Sequence, residues 1–478
     1  MRISRRSLLG GVAVTASGLT LDAALLPKIA LAQGPTFTPE QFGAKGDGAT
    51  NDTAAFARLA TAVNIAGGGT IVLRKTTYIV GQQRASLKRD DYWSFEPAPI
   101  LRIAKCRDPL IIRGNGARIR GADGLRYGTF DSATGRRTDN PMPFTAGQIA
   151  TPYREMIRIE DCSGPVEVAD LELDGNIDRQ QLGGPFGDVG RQIPHIGLAL
   201  FNNRGDELVR NVHSHHHGHD GLYIDGIDRV QRPAPVRRII GFRSEYNGRQ
   251  GCSMTGGRGY QFQDCKFSHT GRSRSGVLSP PGAGLDLEAE NGKINRDFTF
   301  INCEFVDNGG CGLVADTGDS EGALFRGCTF VGTTAWAAWP NKPRFRFDDC
   351  LFVGASVRAF GDPDPDRAAQ FHNCRFRDDP GLSPTGKVYL GDNGRAPIFD
   401  LSSSVNVLFS GCDFELTGKG VLPWSWHAIY QDCRMRQRSA DQAYPKGKYR
   451  GRSRIEANVD MYGTSVEGAL TVNGRPLA

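Results

Sequence analysis

Two short stretches of the chain carry acidic residues at spacings suited to acid–base work. "GAGLDLEAE" holds Asp286 and Glu288, and "HDGLYIDG" holds Asp220, Tyr223 and Asp225. In an extended strand, residues two apart share a face and sit roughly 6.6 Å apart. Asp286 and Glu288 are therefore expected to point the same way, as are Tyr223 and Asp225. Two carboxyl groups about 5–5.5 Å apart suit glycosidic hydrolysis with retention, and about 6.5–9.5 Å suits inversion. Crowding raises the pKa of one partner and makes it the acid. Asp286, Glu288 and Asp225 are the residues expected to share these roles. Just upstream, "NVHSHHHGH" contributes His213, His215, His216, His217 and His219, five of the nine histidines in the chain. His213 falls in the preceding strand. His217 and His219 fall in the turn before "GLYID" and are expected at the rim of the carboxylate patch, as proton-transfer or substrate-contacting groups. A zinc site prefers ligands at defined spacing, such as H-E-x-x-H on a helix. Here the run lies on a turn, where consecutive histidines are not expected to face one ion, so no metal is assigned.

A second chemistry uses the same neighbourhood. Cleaving a uronic acid chain by β-elimination needs a base at C5 and positive charge on the sugar carboxylate. Tyr223, His217, His219, Arg249 and Arg258 are available for this. Asp220, Asp225 and Glu288 could then hold calcium. An epimerase would draw on similar groups. Asp220, Arg249, Arg258 and Asp316 complete the expected substrate-binding set. No other cofactor is called for.

These residues have to be positioned by something, and a repeat supplies it. "FQDCKF" (262–267), "FINCEF" (300–305), "FRGCTF" (325–330), "FDDCLF" (347–352), "FHNCRF" (371–376) and "FSGCDF" (409–414) share F-x-x-C-x-F, with "YQDCRM" (430–435) a weaker copy. Units of about 20–25 residues with longer inserts mark a solenoid. The alternation of Cys and Phe with polar residues reads as a strand. Stacking would place the cysteines in an internal column of buried free thiols, where Cys acts as a small hydrophobe. "HDGLYID", "RQGCSMT", "GAGLDLE" and "GCGLVAD" form a second strand family, with "HIGLALFN" (195–202) in the same register. That register stacks Tyr223, Ser253 and Asp286 in one outward column. It sets Asp316 beside Glu288 and Thr255 between Asp225 and Glu288. The insert "GRSRSGVLSPPGAG" (271–284) approaches the same coils, and inserts at one face of an array often build its binding face.

The opening of the chain supports this architecture. "FGAKGDGATNDTAAFARLATAVNIAGGGTIVLRKTTYIV" (42–80) resembles the start of proteins in the pectate-lyase-like superfamily, which includes polygalacturonases, rhamnogalacturonases, epimerase-like proteins and some phage tailspikes. "NGRQGCSMTGG" and "PPGAGLDLEAE" are similar to pieces of the same superfamily. The resemblance implies an all-β fold: a single-stranded right-handed parallel β-helix under an N-terminal capping helix. Phe56, Leu59, Ala60 and Val63 have helical spacing to cover the open end, and Asp47 and Asp52 organise the turn before it. The polygalacturonase N-T-D is missing, "GCS" (251–253) stands where G-H-G would, and the alginate-epimerase D-P-H-E is absent. The residue roles above therefore come from register and not from a family's catalytic set.

The formal charge is +6 over 478 residues. Residues 1–32 contribute Arg2, Arg5, Arg6 and Lys28 against Asp22, and removing that surplus of three leaves +3. This is too little to indicate nucleic acid. Arg5-Arg6 ahead of a weakly apolar run, closing on "ALA" at 30–32, reads as a twin-arginine export signal and implies a periplasmic or secreted protein. No segment is apolar enough for a membrane span. The expected organisation is a signal over 1–32, a cap and first coils over 33–80, the β-helix over 81–435 and a C-terminal cap or tail over 436–478. The expected reading is an exported enzyme acting on an acidic polysaccharide, a hydrolase first and a lyase or epimerase second. A non-catalytic carbohydrate-binding protein is the third alternative. Trp336, Trp339, Trp424 and Trp426 could stack on sugars or simply pack loops. The sequence does not speak to oligomeric state.

Overall fold

In the computed structural model, residues 34–89, 92–131, 133–138, 150–185 and 191–477 are described. The proposed export signal lies outside them. Among the described residues, no helix is long and apolar enough to cross a membrane.

Each complete coil is built from three short strands, called a, b and c here, and each strand pairs in parallel with its counterpart one coil on. One coil runs a (Arg237–Ile240), b (Arg243–Glu245) and c (Gln250–Arg258). The next runs Tyr260–Gln263, Lys266–Ser268 and Leu285–Leu287. The register is in step: Ile239 pairs with Phe262, Ser244 with Phe267, and Cys252 with Leu285. The c sheet runs from Leu101–Ala104 to Ala338–Pro340, while the a and b sheets continue through Arg434–Gln437 to Pro445–Glu456. An antiparallel pairing of Ser465–Val472 with Arg475–Leu477 follows. The parallel β-helix expected from the repeats is the fold observed.

The helix Thr53–Ala66 buries Phe56, Leu59, Ala60 and Val63, the face expected to cover the end. Asp52 stands at its N-terminus. Its carboxylate accepts backbone N–H groups from Lys45 at 2.7 Å and Gly46 at 3.1 Å, so it shapes the turn as expected.

The cysteine repeat corrects one expectation. F-x-x-C-x-F is two strands joined by a corner: Phe262 belongs to strand a, Phe267 to strand b, and Cys265 sits between them. The residue before each cysteine takes a left-handed conformation: φ is 52° at Asp264, 53° at Asn302, 62° at Gly327, 55° at Asp349 and 53° at Asn373. That turns the chain inward and points each thiol at a carbonyl of the preceding coil. Cys265 reaches Ile239 O at 3.3 Å, Cys374 reaches Phe347 O at 3.3 Å, and Cys412 reaches Phe371 O at 3.3 Å. All eleven cysteines are buried and free. Beside them the rings stack coil on coil, Phe300 on Phe325 at 4.7 Å and Phe325 on Phe347 at 4.8 Å. A second column carries Phe330 on Phe352 at 4.8 Å.

Candidate functional site

The c sheet carries the candidate site. Its outward column runs Arg102, Arg158, Ala199, Tyr223, Ser253, Asp286, Val314 and Trp339 by register. The expected stacking of Tyr223, Ser253 and Asp286 is present. Asp225 does not follow it. A bulge after Ile224 pairs Asp225 with Gly256, so Thr255 does not stand between Asp225 and the acidic coil. Asp225 is instead held by Lys293 at 2.6 Å.

Beneath the column lies a closed polar cluster. Asp220 is wholly buried, so it holds other side chains and does not meet substrate, a correction to its expected role. Its Oδ2 accepts from the Ser253 hydroxyl at 2.8 Å and lies 3.6 Å from the Arg249 guanidinium, while its Oδ1 lies 3.2 Å from His219 Nδ1. Burial works to raise its pKa, but His219, Arg249 and Ser253 outweigh burial and keep it low. Asp286 shows the opposite balance. Only 3% exposed, it accepts from Gln250 Nε2 at 2.6 Å through Oδ2, while Oδ1 is buried without a partner. Burial pushes its pKa up to about 8; Arg249 opposes the rise, and Glu288, Asp220 and Asp316 reinforce it. At neutral pH its carboxyl holds a proton.

Above this cluster, Glu288, Glu290 and Asp316 are partly exposed. Glu288 accepts from the Thr317 hydroxyl. Partial burial raises the Glu290 pKa, with Arg249 opposing and Glu288, Asp220 and Asp225 adding to the rise. Tyr223 packs against Phe201 at 5.4 Å, and burial lifts its phenol well above the ordinary value. Arg158 stacks over Phe201 at 4.0 Å. Further along the same face, a cavity of about 180 Å³ is lined by Arg102, Arg154, Arg158 and Glu155.

The histidines separate. His217, expected at the rim, is fully buried: Nδ1 contacts the Tyr153 hydroxyl at 2.9 Å and Nε2 contacts Leu173 O at 3.2 Å. A carbonyl only accepts, so Nε2 carries the proton and Nδ1 accepts from Tyr153. Burial holds the ring neutral. It is a core residue, because the short turn carries it inward beneath the c sheet. His219 does reach the cluster, on Asp220. Arg258 is not brought in; its guanidinium pairs with Asp297 at 2.7 Å where the c-strand turns into the next a-strand. Trp336 and Trp339 pack on Ala283, Cys311 and Val314, whereas Trp424 and Trp426 remain 42% and 37% exposed.

Four residues of the site were not singled out from sequence: Gln250, Ser253 as a hydrogen-bonding group, Glu290 and Lys293. Glu290 had a signal, since it continues the alternation of Asp286 and Glu288 beyond the strand end. Gln250 had none, because only the close approach of the neighbouring coil gives it a partner.

No family model matches the chain. Over 84 residues, 17% of the chain, it is 37% identical to the capsule KN3-specific depolymerase 1 of Klebsiella phage KN3-1, and that stretch is 9% of the phage protein. Among solved structures, the A-module of Azotobacter vinelandii mannuronan C-5 epimerase AlgE4 is 15% identical at a TM-score of 0.42, with 91% of this chain and 97% of that chain covered. The tailspike protein gp49 of Pseudomonas phage LKA1 is 14% identical at a TM-score of 0.41, with 91% and 80% covered. The parallel β-helix is read from the chain's own stacked parallel coils beneath an N-terminal helix.

Proposed function

We propose that the chain is a polysaccharide-active enzyme that hydrolyses a glycosidic bond in an acidic polysaccharide at the c-sheet face. Glu290 acts as the acid and Glu288 as the base or nucleophile. The carrying observation is the layering of carboxyls. Glu288 and Glu290 are reachable and repel each other, and partial burial raises Glu290. Asp286 lies below them, protonated and covered. An accessible acid beside an accessible carboxylate is what glycosidic cleavage requires. Asp286 acts through its neighbours: while neutral, it adds no negative charge beneath Glu288. The partial identity to a phage capsule depolymerase supports a polysaccharide as the substrate class.

The raised phenol of Tyr223 argues against its use as the base of an elimination. The test is digestion of acidic and neutral polysaccharides by the purified protein, following reducing ends together with the ultraviolet absorbance of unsaturated uronates. Reducing ends without absorbance, lost about 10²–10⁴-fold in Glu290→Gln and Glu288→Gln, are expected. Absorbance rising with reducing ends would replace hydrolysis by elimination.

A further inference from the structure

A second polar site lies on the b-sheet face, away from the carboxylates above. His215 ends the strand Glu207–His215, and His216 follows it with φ of 56°. Two consecutive side chains in extended backbone would point apart. The left-handed turn at His216 swings its ring back, so the two imidazoles converge with their Nδ1 atoms 2.7 Å apart. Asp174, paired with His215 one coil earlier, brings Oδ1 to 3.7 Å from His215 Nδ1. One donor atom from each of Asp174, His215 and His216 lies within 4.8 Å of the others. The turn thus brings together two neighbouring histidines that strand geometry alone would set apart.

The outer nitrogens bear on what belongs between the rings. His215 Nε2 lies 3.1 Å from Glu172 Oε1, and His216 Nε2 lies 3.7 Å from Asp178 Oδ2. The Glu172 carboxylate only accepts, so His215 Nε2 donates to it, whereas Asp178 lies beyond hydrogen-bond distance of His216 Nε2. The Nδ1 atoms of the two rings face each other across this gap. Two imidazole nitrogens this close call for a proton or a metal ion between them. Carboxylates behind the outer nitrogens are the usual support of metal-bound histidines. The ring planes are also fixed, His216 by stacking on Tyr246 at 5.1 Å and His215 by packing on His213 at 4.4 Å. Arg118 and Arg120 pair with Glu172 and Asp123 and also with Asp174 Oδ2, and Arg274 pairs with Asp178. Asp174 Oδ1, which accepts from Asn176 N–H at 2.8 Å, is the oxygen left toward the rings.

We propose that Asp174, His215 and His216 bind a divalent transition-metal ion of the zinc type through two imidazole Nδ1 atoms and one carboxylate oxygen. The donor set is too nitrogen-rich for calcium or magnesium. At Zn–N distances of about 2.0–2.1 Å, the rings need to part by less than about 1 Å. All three donors line a cavity of about 190 Å³ whose walls also carry Arg118, Arg120, Arg179 and Arg274, so an ion bound here would face guanidinium groups and take an anion or water as its further ligand. The donors come from adjacent coils, and the ion would clamp one to the next.

The test is titration of chelator-stripped full-length protein with Zn²⁺ by calorimetry and with Co²⁺ by its visible absorption. His216→Asn is the key variant, because Asn adopts the left-handed corner readily and keeps the backbone turn; His269→Asn is the control. One saturable equivalent in the parent and in the control is expected, with at least tenfold weaker binding in His216→Asn and in Asp174→Asn, both retaining the parent circular dichroism spectrum. No saturable binding in the parent would leave a shared proton between the rings and overturn the proposal. Equal binding in parent and His216→Asn would place the ion elsewhere and also overturn it.

Discussion

Asp286 and His217 show how burial changes the meaning of a residue that the sequence marks as chemical. The Asp286 carboxyl has its pKa raised from 3.8 to about 8, so the folded protein keeps a proton that the unfolded chain has already released. Stability from this group is therefore complete below pH ~4 and is lost as pH rises toward about 8. Asp286→Asn, which mimics the neutral form, is expected to gain about 1–2 kcal/mol at pH 7, with the gain vanishing near pH 4; urea unfolding at the two pH values measures it. The parent is expected to lose kcat/KM as pH rises past about 8, and the same variant to keep kcat/KM within about threefold at pH 6–7 and to lack that alkaline fall. A loss of activity at every pH would instead make Asp286 the proton donor itself. His217→Phe removes the partner of the Tyr153 hydroxyl and is expected to cost about 1–3 kcal/mol in urea unfolding, with kcat/KM of the folded fraction unchanged. Register made the Tyr223–Ser253–Asp286 column legible in the sequence. The inward path of His217 was not legible, because strand alternation says nothing about where a turn residue points.

The corner between strands a and b is the element that the repeat encodes most densely. C-x-F has the period of a strand, and that alternation hid the corner. The legible clue lay one residue earlier: Asp264, Asn302, Gly327, Asp349, Asn373, Gly411 and Asp432 precede the cysteines, and all have positive φ. Asp, Asn and Gly are the residues that tolerate this conformation. Spacing alone could find the coils, but only the identity of that residue shows where each coil bends. Asp349→Ala is expected to destabilise by about 1–2 kcal/mol, whereas Asp349→Gly stays within about 0.5 kcal/mol of the parent. Thermal unfolding of the two variants side by side checks this. If Ala and Gly behaved alike, the cost would lie in the lost carboxylate and not in the backbone.

At the scale of the molecule, each coil touches chiefly its neighbours, so stability is expected to spread along the stack as a chain of local terms. The end cap and the repeat were both legible, since each has a period of its own. The closed polar cluster was not, because it depends on side chains from three coils meeting under residues that follow the strand. The cap provides the sharpest test of local coupling. Phe56 is fully buried and meets Tyr78 edge-on at 5.3 Å, joining the helix to the first coils. Phe56→Ala is expected to cost about 3–5 kcal/mol. If coils couple only to their neighbours, that loss stays near the end it uncaps. Hydrogen exchange should then quicken in Leu101–Ala104, which the helix contacts through Asn64, and in Thr77–Val80, which carries Tyr78, with its partner Leu110–Gly121. The stacked rings from Phe300 to Phe414 should keep the parent rate. Acceleration shared evenly by both regions would mean that the β-helix unfolds as one cooperative unit, and the candidate site would then depend on a cap many coils away.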